Sequence, residues 1–364
     1  MTRAVVLVLD GVGAGEMPDA GSYGDTGSDT LGNLAAAVGG LDLPNLQRMG
    51  LGNLHRIDGV PPCSSPSSAW GRMAEVSGGK DSTTGHWEMM GLQLAQPFPT
   101  FPSGFPPRVI DELARRTGRG VICNRPASGT EIIEELGPRQ SETGELIVYT
   151  SADSVLQIAA HKEVVPREEL YDACLEARKI MQPPGLGVAR VIARPFAGTP
   201  GNYTRTAGRR DFSLEPTGPT LLDALAEAGI PRTGVGKIDD LFAHRSISTE
   251  HVPDNGRGLE VLSHQMSEVG SGLIFANLVD FDMRWGHRND VEGFRLGLEQ
   301  VDTALPDLLS LLQPGDVFII TADHGNDPTT PSTDHSREYV PLLCVIPGGR
   351  AADLGVRKTF ADVA

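Results

Sequence analysis

Three apolar segments of this chain each run into an aspartate. Val8-Leu9-Asp10 closes the first, Asn277-Leu278-Val279-Asp280-Phe281-Asp282 the second, and Thr321-Ala322-Asp323 the third. Two of them continue into histidines, as Asp282-x4-His287 and Asp323-His324-x10-His335. Carboxylates combined with imidazoles form a ligand set for Mn²⁺ or Zn²⁺, whereas an all-oxygen set favours Mg²⁺ or Ca²⁺. Six such ligands are too many for one catalytic metal that keeps an open position. They suit two metals sharing a site, the device of phosphate-processing enzymes. Two divalent ions outweigh the three aspartates in charge, which leaves a site attractive to phosphate.

A second chemically dense stretch is Gly78-Gly79-Lys80-Asp81-Ser82-Thr83-Thr84-Gly85-His86-Trp87-Glu88. It lacks the spacing of a phosphate-binding P-loop, because Asp81 follows Lys80 and Ala74 stands where the first glycine belongs. Asp10-Gly11-Val12-Gly13-Ala14-Gly15-Glu16 likewise fails as a dinucleotide fingerprint, since Glu16 occupies the last glycine position. A hydroxyl beside two metals is a different proposition. Coordination lowers its pKa and makes it a nucleophile able to hold a phosphoryl group. On its own, the stretch also reads as a polar turn with a Ser or Thr helix cap.

These residues need a scaffold that gathers distant segments. Ala4–Asp10, Leu146–Tyr149, Val188–Ala193, Leu273–Asp280, Asp316–Asp323 and Val340–Ile346 are short, near-continuous apolar runs, as expected of strands covered on both faces. Helical patterns such as Arg167–Met181, Thr220–Ala228 and Val291–Leu312 lie between them, so the class is α/β. In an open parallel sheet, ligands gather beyond the carboxyl ends of the strands, so acids at three strand ends can converge. Residues 95–108 hold five prolines, and residues 207–219 are again polar and rich in helix breakers. These stretches predict a core domain in two parts, 1–96 and 214–364, with a domain inserted at 97–213; the alternative is a long decorated loop of the main domain.

The chain of 364 residues carries a net charge of −16 and is 39% hydrophobic and 21% charged. That balance excludes a disordered chain and argues against a nucleic-acid or anionic-membrane binder, which needs a basic face. No apolar run is long enough to span a membrane. Ala4–Leu9 is too short for a signal peptide's hydrophobic region. Cys63, Cys123, Cys174 and Cys344 are far apart, which reads as a reduced, cytoplasmic protein without a disulfide framework.

Longer motifs carry a resemblance. LVLDGVGAGEMPDA, GKDSTTGHWE, YTSADSVLQIAAH, RVIARPFAG with NYTRTAGRRDF, GVGKIDDLF, NLVDFDMRWGHR, TADHGNDPTTPSTDHSREYVPLL and RKTFADV occur in this order. Together they resemble the phosphopentomutase family of the alkaline phosphatase superfamily. The resemblance implies an alkaline-phosphatase-like α/β core, its mostly parallel central sheet sandwiched by helices, with an inserted α+β cap domain. It implies interconversion of ribose 1-phosphate and ribose 5-phosphate, and of the 2-deoxyribose pair, through a phosphoenzyme and a sugar bisphosphate.

By motif position, Asp10, Asp323 and His324 would hold one Mn²⁺, and Asp282, His287 and His335 the other, with Mg²⁺, Co²⁺ or Zn²⁺ as substitutes. Ser82 would carry the phosphate, where the family has threonine. Serine keeps the hydroxyl and loses the methyl that restricts its rotamers; Thr83 and Thr84 are lesser candidates for the nucleophile. Asp153 would contact sugar hydroxyls, Arg190 and Arg205 would grip the distal phosphate, and Lys237 would approach a phosphate as a point charge. His86 would shape the nucleophile loop. A sugar bisphosphate would prime the enzyme. The expected partners are small pentose phosphates, with no nucleic acid and no membrane, and the expected state is a monomer. The family continues past its KTFAD-type segment, so the resemblance expects further chain beyond Ala364. Two other readings remain open from sequence: a metal-dependent phosphatase or mutase for another phosphorylated metabolite, and a non-catalytic metal- or sugar-phosphate-binding protein.

Overall fold

The structure is a computed structural model that describes residues 2–151 and 153–364. Its strands, in chain order, are β1 (Arg3–Leu9), β2 (Ala69–Met73), β3 (Val121–Pro126), β4 (Leu146–Thr150), β5 (Val155–His161), β6 (Arg190–Ala197), β7 (Thr204–Arg205), β8 (Arg210–Ser213), β9 (Arg232–Val235), β10 (Thr249–Glu250), β11 (Gly272–Leu278), β12 (Val317–Thr321), β13 (Val340–Val345) and β14 (Asp353–Arg357). The chain divides into two compact units, Met1–Pro97 with Pro216–Ala364, and Phe98–Glu215. Among the described residues, no helix is long and apolar enough to cross a membrane.

The first unit is built on an eight-stranded sheet in the order β10-β9-β11-β1-β12-β13-β2-β14. Of these strands only β13 runs against the rest. The central strands are buried almost throughout, consistent with their continuous apolar sequences. Helix Val291–Ser310 buries Phe294, Leu298, Val301, Leu305 and Leu308, the spacing of one helical face. Its Gly297 lies so close under Trp285 that an added Cβ would sit 2.2 Å from the indole.

The sheet's connectivity gathers the predicted residues at one edge. β11, β1 and β12 are adjacent and parallel, with Leu9 opposite Leu278 and Val8 opposite Thr321. Asp10, Asp282 and Asp323 therefore follow the same ends of three neighbouring strands. The segment after β12 contains no crossover helix, and a strand joined without one must return antiparallel. That return makes β13 the reversed strand and brings His335 back to the edge that carries Asp323 and His324. β2 runs parallel to β12, so its exit leads to Ser82, and the exit of β9 leads to Lys237.

The second unit holds a mixed sheet, β3-β4-β5-β6-β7, with β8 paired to β6. Ile122, Ile132, Ile133, Ile147, Tyr149, Ala159, Phe196 and Tyr203 form one buried cluster. A separate cluster, including Val109, Leu113, Leu156, Ile158, Leu170, Cys174 and Val191, packs the helices Pro107–Thr117 and Arg167–Ile180.

One buried carboxylate ties three segments of the first unit together. Glu88, in the helix Ser82–Met89, accepts hydrogen bonds from the backbone N–H groups of Val76, Ser77 and Phe360 and from the Thr359 hydroxyl. Truncation would strand several buried donors, each costing about 1–3 kcal/mol. Glu88→Ala should therefore lower stability by about 3–5 kcal/mol in urea unfolding. A loss under about 1 kcal/mol would show that these donors find other partners.

Candidate active site

The six predicted ligands and Ser82 come together. Asp10, Asp282, Asp323, His324 and His335 are buried, and His287 and Ser82 are half-buried. His324 Nε2 stands 3.3 Å from Asp10 Oδ1 and 3.5 Å from Asp323 Oδ2. His287 Nε2 and His335 Nε2 each stand 3.2 Å from an oxygen of Asp282. Asp282 belongs to both ends of the constellation, because its donor atoms lie within 4.8 Å of those of His287 and His335 and also of Asp10 and His324.

Imidazole tautomers reveal what these contacts are for. His324 Nδ1 meets the Gly325 carbonyl at 3.0 Å, and His287 Nδ1 meets the Thr333 carbonyl at 2.6 Å. A carbonyl only accepts, so each Nδ1 carries the hydrogen and each neutral ring turns the lone pair of Nε2 toward a carboxylate. Two acceptors facing one another at about 3.3 Å need a cation, either a proton or a metal. Asp323 Oδ2 fits the same reading: it is buried and makes no hydrogen bond. It lies 3.1 Å from His86 Nδ1, whose hydrogen instead meets the Ser82 carbonyl at 2.8 Å. The donor set thus suits divalent cations of intermediate softness.

The electrostatics agree. Burial and the charge of Asp323 push the Asp10 carboxyl up. Burial would also raise Asp282, but His335 and His287 hold it well below the ordinary value. Burial disfavours a charged His324, yet Asp323, Asp10 and Asp282 together drive it well above its ordinary value. Three carboxylates this close demand compensating positive charge.

Ser82 begins its helix, with Asp81 as the capping residue that accepts from the Thr84 N–H. Its hydroxyl lies 3.0 Å from His324 Nε2 and 3.5 Å from Asp10 Oδ1. Thr84 spends its hydroxyl on Asp81 at 2.6 Å, and Thr83 is buried. Gly85 lets the helix approach β12, since a Cβ there would fall 2.1 Å from the Asp323 carbonyl oxygen. His86 is fully buried and bridges Ser82, Asp323 and Asn277. Lys237 Nζ sits 3.1 Å from Met283 Sδ, beside the π-helical turn Phe281–Trp285 that carries Asp282.

Supporting residues escape a reading based on ligand spacing. Asn277 donates to Asp10 Oδ2 at 3.0 Å, Asn326 donates to Asp282 Oδ1 at 2.7 Å, and the Gly11 N–H donates to Asp323 Oδ1 at 3.1 Å. A lone asparagine inside the apolar run LIFANL was the available signal for Asn277. Arg337, two residues beyond His335, donates to Glu75 Oε2 and to the carbonyls of Ser77 and Gly79, which fixes the approach to Ser82.

The other three predicted residues lie in the second unit. Asp153 is half-buried in the turn before β5. Arg190 is half-buried, with its Nη1 3.5 Å from Asp211 Oδ2, and Arg205 is exposed. Strand register explains their company. Arg190 and Arg194 share a face of β6 by alternation, Asp211 lies opposite Ile192, and Arg205 lies opposite Phe196. Arg209 pairs with Asp211 at 2.8 Å, and Arg194 Nε reaches Gln157 at 2.6 Å. Burial and the charges of Arg209 and Arg205 lower the Arg194 pKa, while Arg209, Arg190 and Arg194 hold Asp211 low against burial. Three arginines around Asp211, with Arg205 acting on Arg194, form a face suited to an anion. Arg194 and Arg209 were legible only once the register was known.

Stripping divalent cations should lower the thermal midpoint, and Mn²⁺ should restore it, with a gain of about 2.7 kcal/mol at a hundred times the dissociation constant. Because ionised Asp10 is disfavoured by burial and Asp323, the metal-free Asp10→Asn chain should be no less stable than the metal-free parent at pH 8. It should gain less than half as much from Mn²⁺. An equal gain in both chains, read by calorimetry, would remove Asp10 from the cation site.

A family model described as the Metalloenzyme superfamily matches residues 2–364. The phosphopentomutase of Anaeromyxobacter sp. (strain K) is 57% identical over 99% of this chain and 93% of its own length. That of Dictyoglomus turgidum is 56% identical over 100% of this chain and 92% of its own. Among solved structures, the PH0037 protein from Pyrococcus horikoshii aligns with a TM-score of 0.50 and 14% identity, covering 100% of this chain and 95% of that one, a likeness of fold alone. The chain therefore belongs to the phosphopentomutase family within the Metalloenzyme superfamily.

Proposed function

We propose that this chain interconverts ribose 1-phosphate and ribose 5-phosphate, and the 2-deoxyribose pair, by relaying phosphate through Ser82. The observation that carries the reading is the Ser82 hydroxyl, held 3.0 Å from His324 Nε2 and 3.5 Å from Asp10 Oδ1 at a helix start. Kinship with phosphopentomutases supports the choice of substrate.

Two divalent cations, Mn²⁺ in our reading with Mg²⁺, Co²⁺ or Zn²⁺ as substitutes, would be held by Asp10, Asp323 and His324 and by Asp282, His287 and His335. When bound, they supply charge that acidifies the serine hydroxyl and stabilises phosphoryl oxygens in flight. A sugar bisphosphate primes the cycle by phosphorylating Ser82. The O1 hydroxyl of ribose 5-phosphate then attacks the phosphoserine phosphorus, the Ser82 O–P bond breaks, and the serine hydroxyl regains a proton. The resulting 1,5-bisphosphate returns its O5 phosphate to Ser82 and departs as ribose 1-phosphate.

Asp81 caps the helix and keeps the serine at its first turn, and His86 anchors the Ser82 carbonyl. Lys237 offers a positive charge near the Asp282 turn. Arg190 and Arg205, aided by Arg194 and Arg209, bind the phosphate that is not being transferred through bidentate hydrogen bonds. Asp153 binds sugar hydroxyls. Water reaching the phosphoserine would turn the mutase into a phosphatase, so the mutase reading requires its exclusion.

A coupled assay of ribose 5-phosphate formation from ribose 1-phosphate with Mn²⁺ and a trace of bisphosphate tests the reading. Activity should fall by about 10⁴-fold or more in Ser82→Ala, and mass spectrometry of the parent should find one phosphate on Ser82. Arg205→Ala should raise KM about tenfold with a smaller change in kcat. Free phosphate released faster than isomer would make the chain a phosphatase. Substrate binding with neither product would make it a binding protein.

A further inference from the structure

A second group of metal-ligating side chains lies away from the Ser82 constellation. Asp239, Asp240 and His251 bring their donor atoms within 4.8 Å of one another, the same spacing found in the two groups around Asp282. His251 Nε2 is 2.9 Å from Asp239 Oδ1. His244 joins from another side, with Nδ1 3.2 Å from Asp239 Oδ2 and Nε2 3.8 Å from Asp240 Oδ1. The four residues come from three places: the short helix Ile238–Leu241, the turn that follows it, and the residue just past β10. Ala243 and His244 both adopt left-handed backbone conformations, which turn the His244 ring back over the helix start. Asp239 is buried, whereas both histidines are exposed and open to solvent ions.

We propose that Asp239, Asp240 and His251 form an accessory Zn²⁺ site, flanked by His244 and separate from the Ser82 constellation. Two carboxylates neutralise a divalent ion, and the His251 imidazole favours Zn²⁺ over Mg²⁺ or Ca²⁺. Three protein ligands leave the fourth tetrahedral position to water on the exposed side of the cluster. The site would clamp the helix that directly follows Lys237. That helix is tied to the serine helix by Trp87 Nε1, which donates to the Leu241 carbonyl at 2.9 Å. Zinc here would steady the corner that carries Lys237 and take no part in phosphoryl transfer.

The test counts zinc on the full chain. Metal-stripped protein is equilibrated with excess Zn²⁺, freed of loose ions with a chelator of micromolar affinity, and analysed for metal per chain. The parent should retain one equivalent more than His251→Gln and Asp240→Asn, and the third-site affinity of both variants should fall by about tenfold or more in calorimetric titration. Their circular dichroism and their Mn²⁺-supported activity should match the parent's. A parent that retains no more zinc than both variants would overturn the proposal and reduce the cluster to Asp–His ion pairs. Should one variant misfold, the other and the parent's own stoichiometry still decide, because a parent holding only two zinc ions has no accessory site.

Discussion

Three buried carboxylates brought to one point dominate this molecule. Asp10, Asp282 and Asp323 cannot remain ionised together in a dry pocket without positive charge among them. In the protein alone, three imidazoles, those of His324, His287 and His335, face them at separations of 3.2–3.5 Å. Two of those rings have committed Nδ1 to a carbonyl, so they meet the carboxylates through Nε2. The geometry of the pocket therefore suits cations placed among these donors. Asn277, Asn326 and the Gly11 N–H fix one oxygen of each carboxylate and so aim the other.

The fold serves this convergence. Parallel strands β11, β1 and β12 deliver three acids to one edge, and the reversed β13 returns His335 to it. The serine arrives by a separate route, on a helix pressed against the end of β12 through Gly85. Glu88 and Arg337 anchor that route with buried hydrogen bonds to the same stretch, residues 75–79. Ser82 thereby occupies a position defined by the same strand that defines Asp323 and His324. In the proposed reaction, a serine and its electrostatic partners held by one rigid element would lose little order on reaching the transition state.

Much of this was legible in the sequence. Continuous apolar runs ending in Asp10, Asp282 and Asp323 marked strand ends, and the spacing to His287, His324 and His335 marked the imidazoles that the fold brings beside them. The runs Val340–Ile346 and Asp316–Asp323 were visible as strands, but the reversal of β13 was not, because direction depends on the absence of a crossover helix between them. β2, β9 and β14 are short or interrupted by glycine and charge, so they carry little periodic signal. The arginine face of the second unit was half visible. Arg190 and Arg205 stood in motifs, whereas Arg194, Arg209 and Asp211 acquire meaning only from the pairing of β6 with β7 and β8. Arg337 was hidden for the same reason, since its partners lie some 260 positions away in the chain.

The central claim is that these six side chains hold two cations beside Ser82. An anomalous-difference map from Mn²⁺-loaded crystals tests it most directly. The account predicts two peaks, one within coordination distance of Asp10, Asp323 and His324 and one within coordination distance of Asp282, His287 and His335, with the Ser82 hydroxyl next to the first. A single peak, or two peaks that leave either group without a cation, would contradict it.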